Sequence, residues 1–102
     1  MKRMIKIMKE ADEDLESIWF YGYWNFGSKK AKQYVLMLHQ RFSQLATNEL
    51  GRKRAELGKN VFALPHREHV IYYRSEVEKV FIVRVLHHSQ DVLVHFTQLH
   101  WL

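Results

Sequence analysis

Arg84 lies in the stretch Lys79–Asp91, KVFIVRVLHHSQD, as the one polar residue among Val80, Phe81, Ile82, Val83, Val85 and Leu86. A guanidinium keeps its charge and is costly to bury alone. Arg84 therefore requires a carboxylate, a cluster of carbonyls, a stem long enough to reach the sheet edge, or an opening into a groove where a ligand waits. Beside it stand His87 and His88, adjacent imidazoles that titrate near neutrality, and upstream are the cations Arg67 and Arg74. His66 and His69 form an H-x-x-H pair, with His95 and His100 downstream. Ligands at helical spacing converge, whereas alternation along a strand sends His66 and His69 to opposite faces, so no metal site is expected. With no cysteine, disulfides and thiolate sites are excluded and a reducing compartment fits. Nothing implies a cofactor.

Two further groups suit binding more than reaction. Arg52, Lys53 and Arg54, with Lys59, crowd a segment poor in large apolar residues, and such a run meets phosphate, an acidic surface or simply water. Trp19, Phe20, Tyr23 and Trp24 make one half of a helical stretch aromatic nearly all round. A small core takes some of them, Trp19 beside Leu15 and Ile18. The others, Phe20, Tyr23 and Trp24, are left to face a groove, and rings of this kind anchor interfaces.

The elements that hold these residues follow from periodicity. Arg3 to Lys9 alternates basic residues with Ile5 and Ile7 and reads as a first strand near an edge, its charges discouraging stray pairing. From Ala11 the period becomes 3.6, with Leu15, Ile18, Trp19, Gly22 and Phe26 on one face and an acidic first turn suited to a helix N-terminus. Gly27 then fits a left-handed helix end and Ser28 an N-cap. Ala31, Tyr34, Val35, Leu38, Phe42 and Leu45 mark a second helix, antiparallel to the first across a tight turn. Thr47 to Asn60 reads as loop. Val61 to Leu64, limited by Pro65, and His69 to Arg74 are strands around a turn at Arg67-Glu68, and a turn at Ser75 to Glu78 leads to the central strand at Val80–Leu86. Alternation there puts Phe81, Val83, Val85 and His87 on one face and Val80, Ile82, Arg84 and Leu86 on the other. The fold class is α+β, ordered β-α-α-β-β-β, a helical hairpin packed on a small antiparallel sheet. One domain spans residues 1–102, a core of 1–91 with an apolar tail of 92–102 that reads equally as helix or strand.

The totals agree with a folded domain. The 102 residues are 47% hydrophobic and 14% aromatic, which excludes a disordered chain. No apolar run is long enough to span a membrane, and the Lys-interrupted start is not a signal peptide, so the expected location is cytoplasmic. The net charge of +5 sets 16 Lys and Arg against 11 acids, five of them between Glu10 and Glu16. Elsewhere the surface is more basic than the total, a field that favours polyanions or acidic proteins.

In this order and spacing, several pieces resemble one family: Asp14-Leu15 with Ile18-Trp19 and Tyr21, Phe26-Gly27, Ala31 with Tyr34, Gly51-Arg52-Lys53-Arg54 with Glu56-Leu57, His69–Arg74, and Ile82–His87 with Asp91. The chain resembles the RelE/ParE superfamily of toxins from type II toxin–antitoxin pairs over residues 3–91, and its ParE branch more than its RelE branch. It departs at Pro65–His69 and in its long apolar tail. The resemblance implies a small bacterial toxin in a hetero-oligomer with a cognate antitoxin, whose amphipathic, acidic segment wraps it. The implied antitoxin contacts are Phe20, Tyr23, Trp24, Arg74 and Arg84. The implied target is DNA gyrase, held with its DNA cleaved by a protein that is not itself an enzyme and meets DNA only indirectly. Arg52, Lys53, Arg54 and Trp101 are the target-side candidates. The RelE branch offers an alternative, cleavage of ribosome-bound messenger RNA through its 2′-hydroxyl, which needs a base, an acid and cations. Arg67, Arg74 and Arg84 with His87 or His88 are the residues available for that chemistry. A third reading keeps only antitoxin binding.

Overall fold

In the computed structural model, which describes residues 2–97, the first alternating segment forms β1 (Met4–Ile7). The helical patterns become α1 (Lys9–Phe26) and α2 (Ser28–Gln44). There follow β2 (Arg52–Lys53), a 3-10 turn at Ala55–Leu57, β3 (Val61–His66), β4 (His69–Ser75), β5 (Lys79–His87) and α3 (Val92–Thr97). No helix among the described residues is long and apolar enough to cross a membrane.

The strands lie in the order β1-β5-β4-β3-β2, and β3, β4 and β5 form the expected antiparallel meander. β1 pairs with β5 in parallel, Met4 beside Lys79 and Ile7 beside Ile82, so the sheet is mixed instead of antiparallel. Parallel neighbours need a long crossover, and the chain between them, helical hairpin included, supplies it. β5 is interior, as its apolar run demands, but β4 holds the middle position. The reason is β2, two residues of the expected loop that add an outer strand beside Phe62 and Ala63. β3 also continues through Pro65 to His66. β2 stops short of Pro65, so no strand on that side asks for the missing N–H.

Strict alternation along β5 does not survive either. Tyr73 pairs with Ile82 but Tyr72 with Arg84, a register shift that inserts one residue. Val80, Ile82 and Val85 consequently join the helix-side core, while Val83 and Leu86 join the opposite one. A bulge exchanges faces in this way without any change of residue type.

α2 buries Ala31, Leu38 and Phe42 on the helix side, followed by Leu45, as its periodicity predicts. α1 buries Ala11 and Leu15 there, with Ile18 packed at the margin. Trp19, expected beside them, is half-buried and stacks on Tyr23 instead. Gly27 alone joins the helices at φ 89°, and it takes the N-cap position expected of Ser28, which is the first helical residue. Gly22 allows the close crossing: a Cβ added there would stand 3.1 Å from Ala31 Cβ. On the other sheet face, Phe96 of α3 is buried and meets Tyr72 edge-on at 5.5 Å. Residues 92–97 of the tail are thus helical and docked on their own sheet.

Candidate functional site

β1 stops pairing at Ile82, which leaves the next stretch of β5 edge bare. Asp14 of α1 fills it. Its carboxylate accepts Arg84 Nε and Nη2, each at 2.8 Å, and Val85 N–H at 2.9 Å. Both side chains are only 13% exposed. Donation to the Asp14 carboxylate holds the Arg84 pKa above its usual range, as expected for a bidentate pair. Of the options open to Arg84, the structure supplies the carboxylate. Nε and Nη2 of the residue nominated for antitoxin contact and for phosphate neutralisation are thus engaged within the chain.

Beyond Ile18, α1 buries no side chain fully. Trp19, Phe20, Tyr23 and Trp24 fall on one side of it, since residues four apart are neighbours on a helix. Tyr23 stacks on Trp19 at 5.2 Å, Phe20 meets Trp19 edge-on at 5.3 Å, and Trp24 meets Tyr23 edge-on at 5.3 Å. The rings order one another before any partner arrives. Trp24 nevertheless remains 77% exposed, a large apolar surface on a soluble face.

These rings do not line the groove they were expected to face. The groove, of about 1000 Å³, lies on the other side of α1, between the helical hairpin, the β3–β4 turn and the end of β5. Tyr21, Gly22 and Phe26 form one wall, with Ala31 and Met37 of α2, and Arg67, Glu68, His69 and His87 stand on its rim. Tyr34 ties wall to rim, its hydroxyl 2.6 Å from His69 Nδ1. Burial first, then the neighbouring His87, lowers the His69 pKa, and burial raises that of the phenol; the imidazole tautomer sets which of the two donates. Burial, then Arg41 and Arg67, lowers the His66 pKa in the same way.

His66 and His69 are not on opposite faces. The turn Arg67-Glu68 falls between them, so they are cross-strand partners whose rings lie 5.8 and 5.4 Å from that of Tyr34. Alternation holds along one strand and not across a turn. The result is a slot with an apolar wall and a titratable rim, a shape suited to an amphipathic segment. Arg67 and His87 both reach it, whereas Arg84 does not line it.

The remaining candidates are elsewhere. Arg74 pairs with Glu76 at 3.4 Å and lies over the Phe81 ring at 4.9 Å. Arg52 and Lys53 are exposed on β2, at the far margin of the sheet, and Arg54 pairs with Glu56 at 2.6 Å. No residue of β2 lines the groove. Trp101 and His100 lie outside the described residues. Among the residues the patterns missed, Asp14 had a signal: three residues after Ala11 and four before Ile18, it sits nearer the buried side of α1 than the other acids of its cluster. The Tyr34–His69 contact had none, because it depends on how the β3–β4 turn meets α2.

A family model for the ParE toxin of the type II toxin-antitoxin system, parDE, matches residues 5–92. Among curated proteins, Toxin ParE1 of Caulobacter vibrioides is 29% identical over 91 residues, covering 88% of this chain and 94% of that protein. Among solved structures, the chromosomal ParDE toxin–antitoxin system from P. aeruginosa matches with a TM-score of 0.71 at 20% identity, over 84% of this chain and 96% of that one. The RelBE2 toxin–antitoxin complex of Mycobacterium tuberculosis matches with a TM-score of 0.64 at 19% identity, over 88% and 95%. At such identities the structural likeness concerns the fold.

Proposed function

Because the chain belongs to the ParE family of toxins from type II toxin–antitoxin systems, we propose that it poisons DNA gyrase in the cytoplasm and is silenced by a cognate antitoxin docking on α1. The observation that carries this reading is the ordered, solvent-facing set of rings around Trp24. An amphipathic antitoxin helix laid along Phe20, Tyr23 and Trp24, with its continuation reaching round to Tyr21 and Phe26, covers the apolar surface that this domain leaves open. Arg52 and Lys53, exposed on the opposite margin of the sheet, remain accessible for an acidic surface or phosphate of the gyrase–DNA complex.

The test uses purified toxin, gyrase and plasmid, with and without the antitoxin encoded beside it. Cleaved DNA accumulates with the toxin and disappears when antitoxin is added. Trp24→Ala still poisons gyrase but binds antitoxin about 2 kcal/mol more weakly, roughly thirtyfold in Kd. Unchanged antitoxin affinity removes the aromatic face from the interface. Intact DNA, together with cut transcripts in primer extension, transfers the target from gyrase to ribosome-bound messenger RNA.

A further inference from the structure

β5 ends at His87, and His88 N–H donates to the Glu68 carbonyl at 3.0 Å, pinning the strand end to the β3–β4 turn. Two consecutive histidines, which a continuing strand would point apart, therefore turn toward one carboxylate. Their rings lie 4.3 Å apart, and Nε2 of His88 and of His87 stand 3.2 and 3.8 Å from the same Glu68 Oε2. The three candidate donor atoms all fall within 4.8 Å of one another.

We propose that Glu68, His87 and His88 form a binding site for a borderline divalent transition-metal ion such as Zn²⁺. A tetrahedral ion bonded at about 2.0–2.1 Å holds its ligands about 3.3–3.4 Å apart. The two Glu68–imidazole separations bracket that value, and rotation of exposed side chains closes the remaining gap. Two imidazole nitrogens and one carboxylate oxygen select zinc or its late first-row neighbours over calcium and magnesium, which prefer oxygen throughout. His87 also has outer support. When Nε2 binds the ion, Nδ1 carries the proton, and Ser89 Oγ, 2.7 Å away, accepts it. Without the ion Nδ1 accepts the Ser89 N–H at 3.2 Å, so metal binding exchanges that contact for donation to Ser89 Oγ. Gln90 Oε1 accepts His87 N–H at 2.7 Å and holds the backbone in place. Glu68 is 70% exposed, so its carboxylate keeps its hydration, and water completes the coordination. Glu68 and His87 line the groove rim, and a bound ion would tie together the two segments that frame it. The ligands join residues far apart in sequence, which is why spacing along one strand does not reveal them. This inference stands on side-chain geometry and does not depend on the antitoxin reading.

Untagged full-length protein is titrated with ZnCl2 against a chromophoric chelator, and its imidazole resonances are followed by NMR. The expected result is one ion per chain, with the His87 and His88 rings shifting together. Glu68→Gln and His88→Ala each weaken binding at least tenfold, and Ser89→Ala weakens it about tenfold. His39→Ala and His95→Ala leave it unchanged, and excess Mg²⁺ does not compete. Circular dichroism confirms that the surface variants fold. No saturable zinc binding, or binding that survives both Glu68→Gln and His88→Ala, overturns the proposal.

Discussion

Asp14 serves three donors on two successive residues of β5, so its loss is felt at each. Asp14→Ala leaves the Arg84 charge without its partner and the Val85 N–H without an acceptor, an expected cost of roughly 2–4 kcal/mol in urea denaturation. Asp14→Asn, which keeps an acceptor oxygen, should lose less. Tyr73 gives a test by pH. It is buried, its hydroxyl donates to the Leu50 carbonyl, and burial pushes its pKa up to about 12. The unfolded value is near 10. A raised folded pKa means that the neutral phenol favours the fold, so this contribution is whole below pH 10 and is lost as pH rises through 12. Tyr73→Phe costs roughly 1 kcal/mol at neutral pH and flattens the alkaline limb of a denaturation series from pH 7 to 12. The need of Arg84 for a partner was readable from its neighbours in the strand. That the partner was Asp14 required the end of β1, which lies in a different segment.

Among the elements, β2 depends most on one residue. Gly51 enters it at φ 88°, and a Cβ there would stand 2.3 Å from the Ala63 carbonyl oxygen, against backbone that cannot step aside. Gly51→Ala is therefore expected to cost roughly 2 kcal/mol or more, with amide exchange rising first at Arg52, Lys53 and their partners on β3. The two helices and the meander were legible because each repeats its own period over many residues. β2 was not, since two polar residues carry no period; they pair because Gly51 brings them alongside Ala63. The bulge in β5 was equally silent. It changes which face Val85 and Leu86 occupy and leaves the run of apolar letters as it was.

For the whole molecule, element order and family were legible, and the placing of its surfaces was not. The aromatic side of α1, the groove behind that helix and the basic margin at β2 occupy separate places, an arrangement that the residue types alone do not specify. Counting periods assigns a residue to a side of its own element. It does not tell what lies against each side, and the groove lies against the Tyr21 and Phe26 side of α1, away from Trp24.

The parallel pairing of the first strand with the last one also governs how the molecule comes into being. β1 finds its neighbour only when Lys79–His87 has been made, so a chain growing on the ribosome carries an open seam until then. A toxin assembled this way cannot close its sheet before Lys79–His87 is made, and an antitoxin produced alongside it has that interval in which to be waiting. Nascent chains stalled before Lys79 should be digested by protease across Met4–Phe26 while released chains resist; equal resistance would show that no such interval exists.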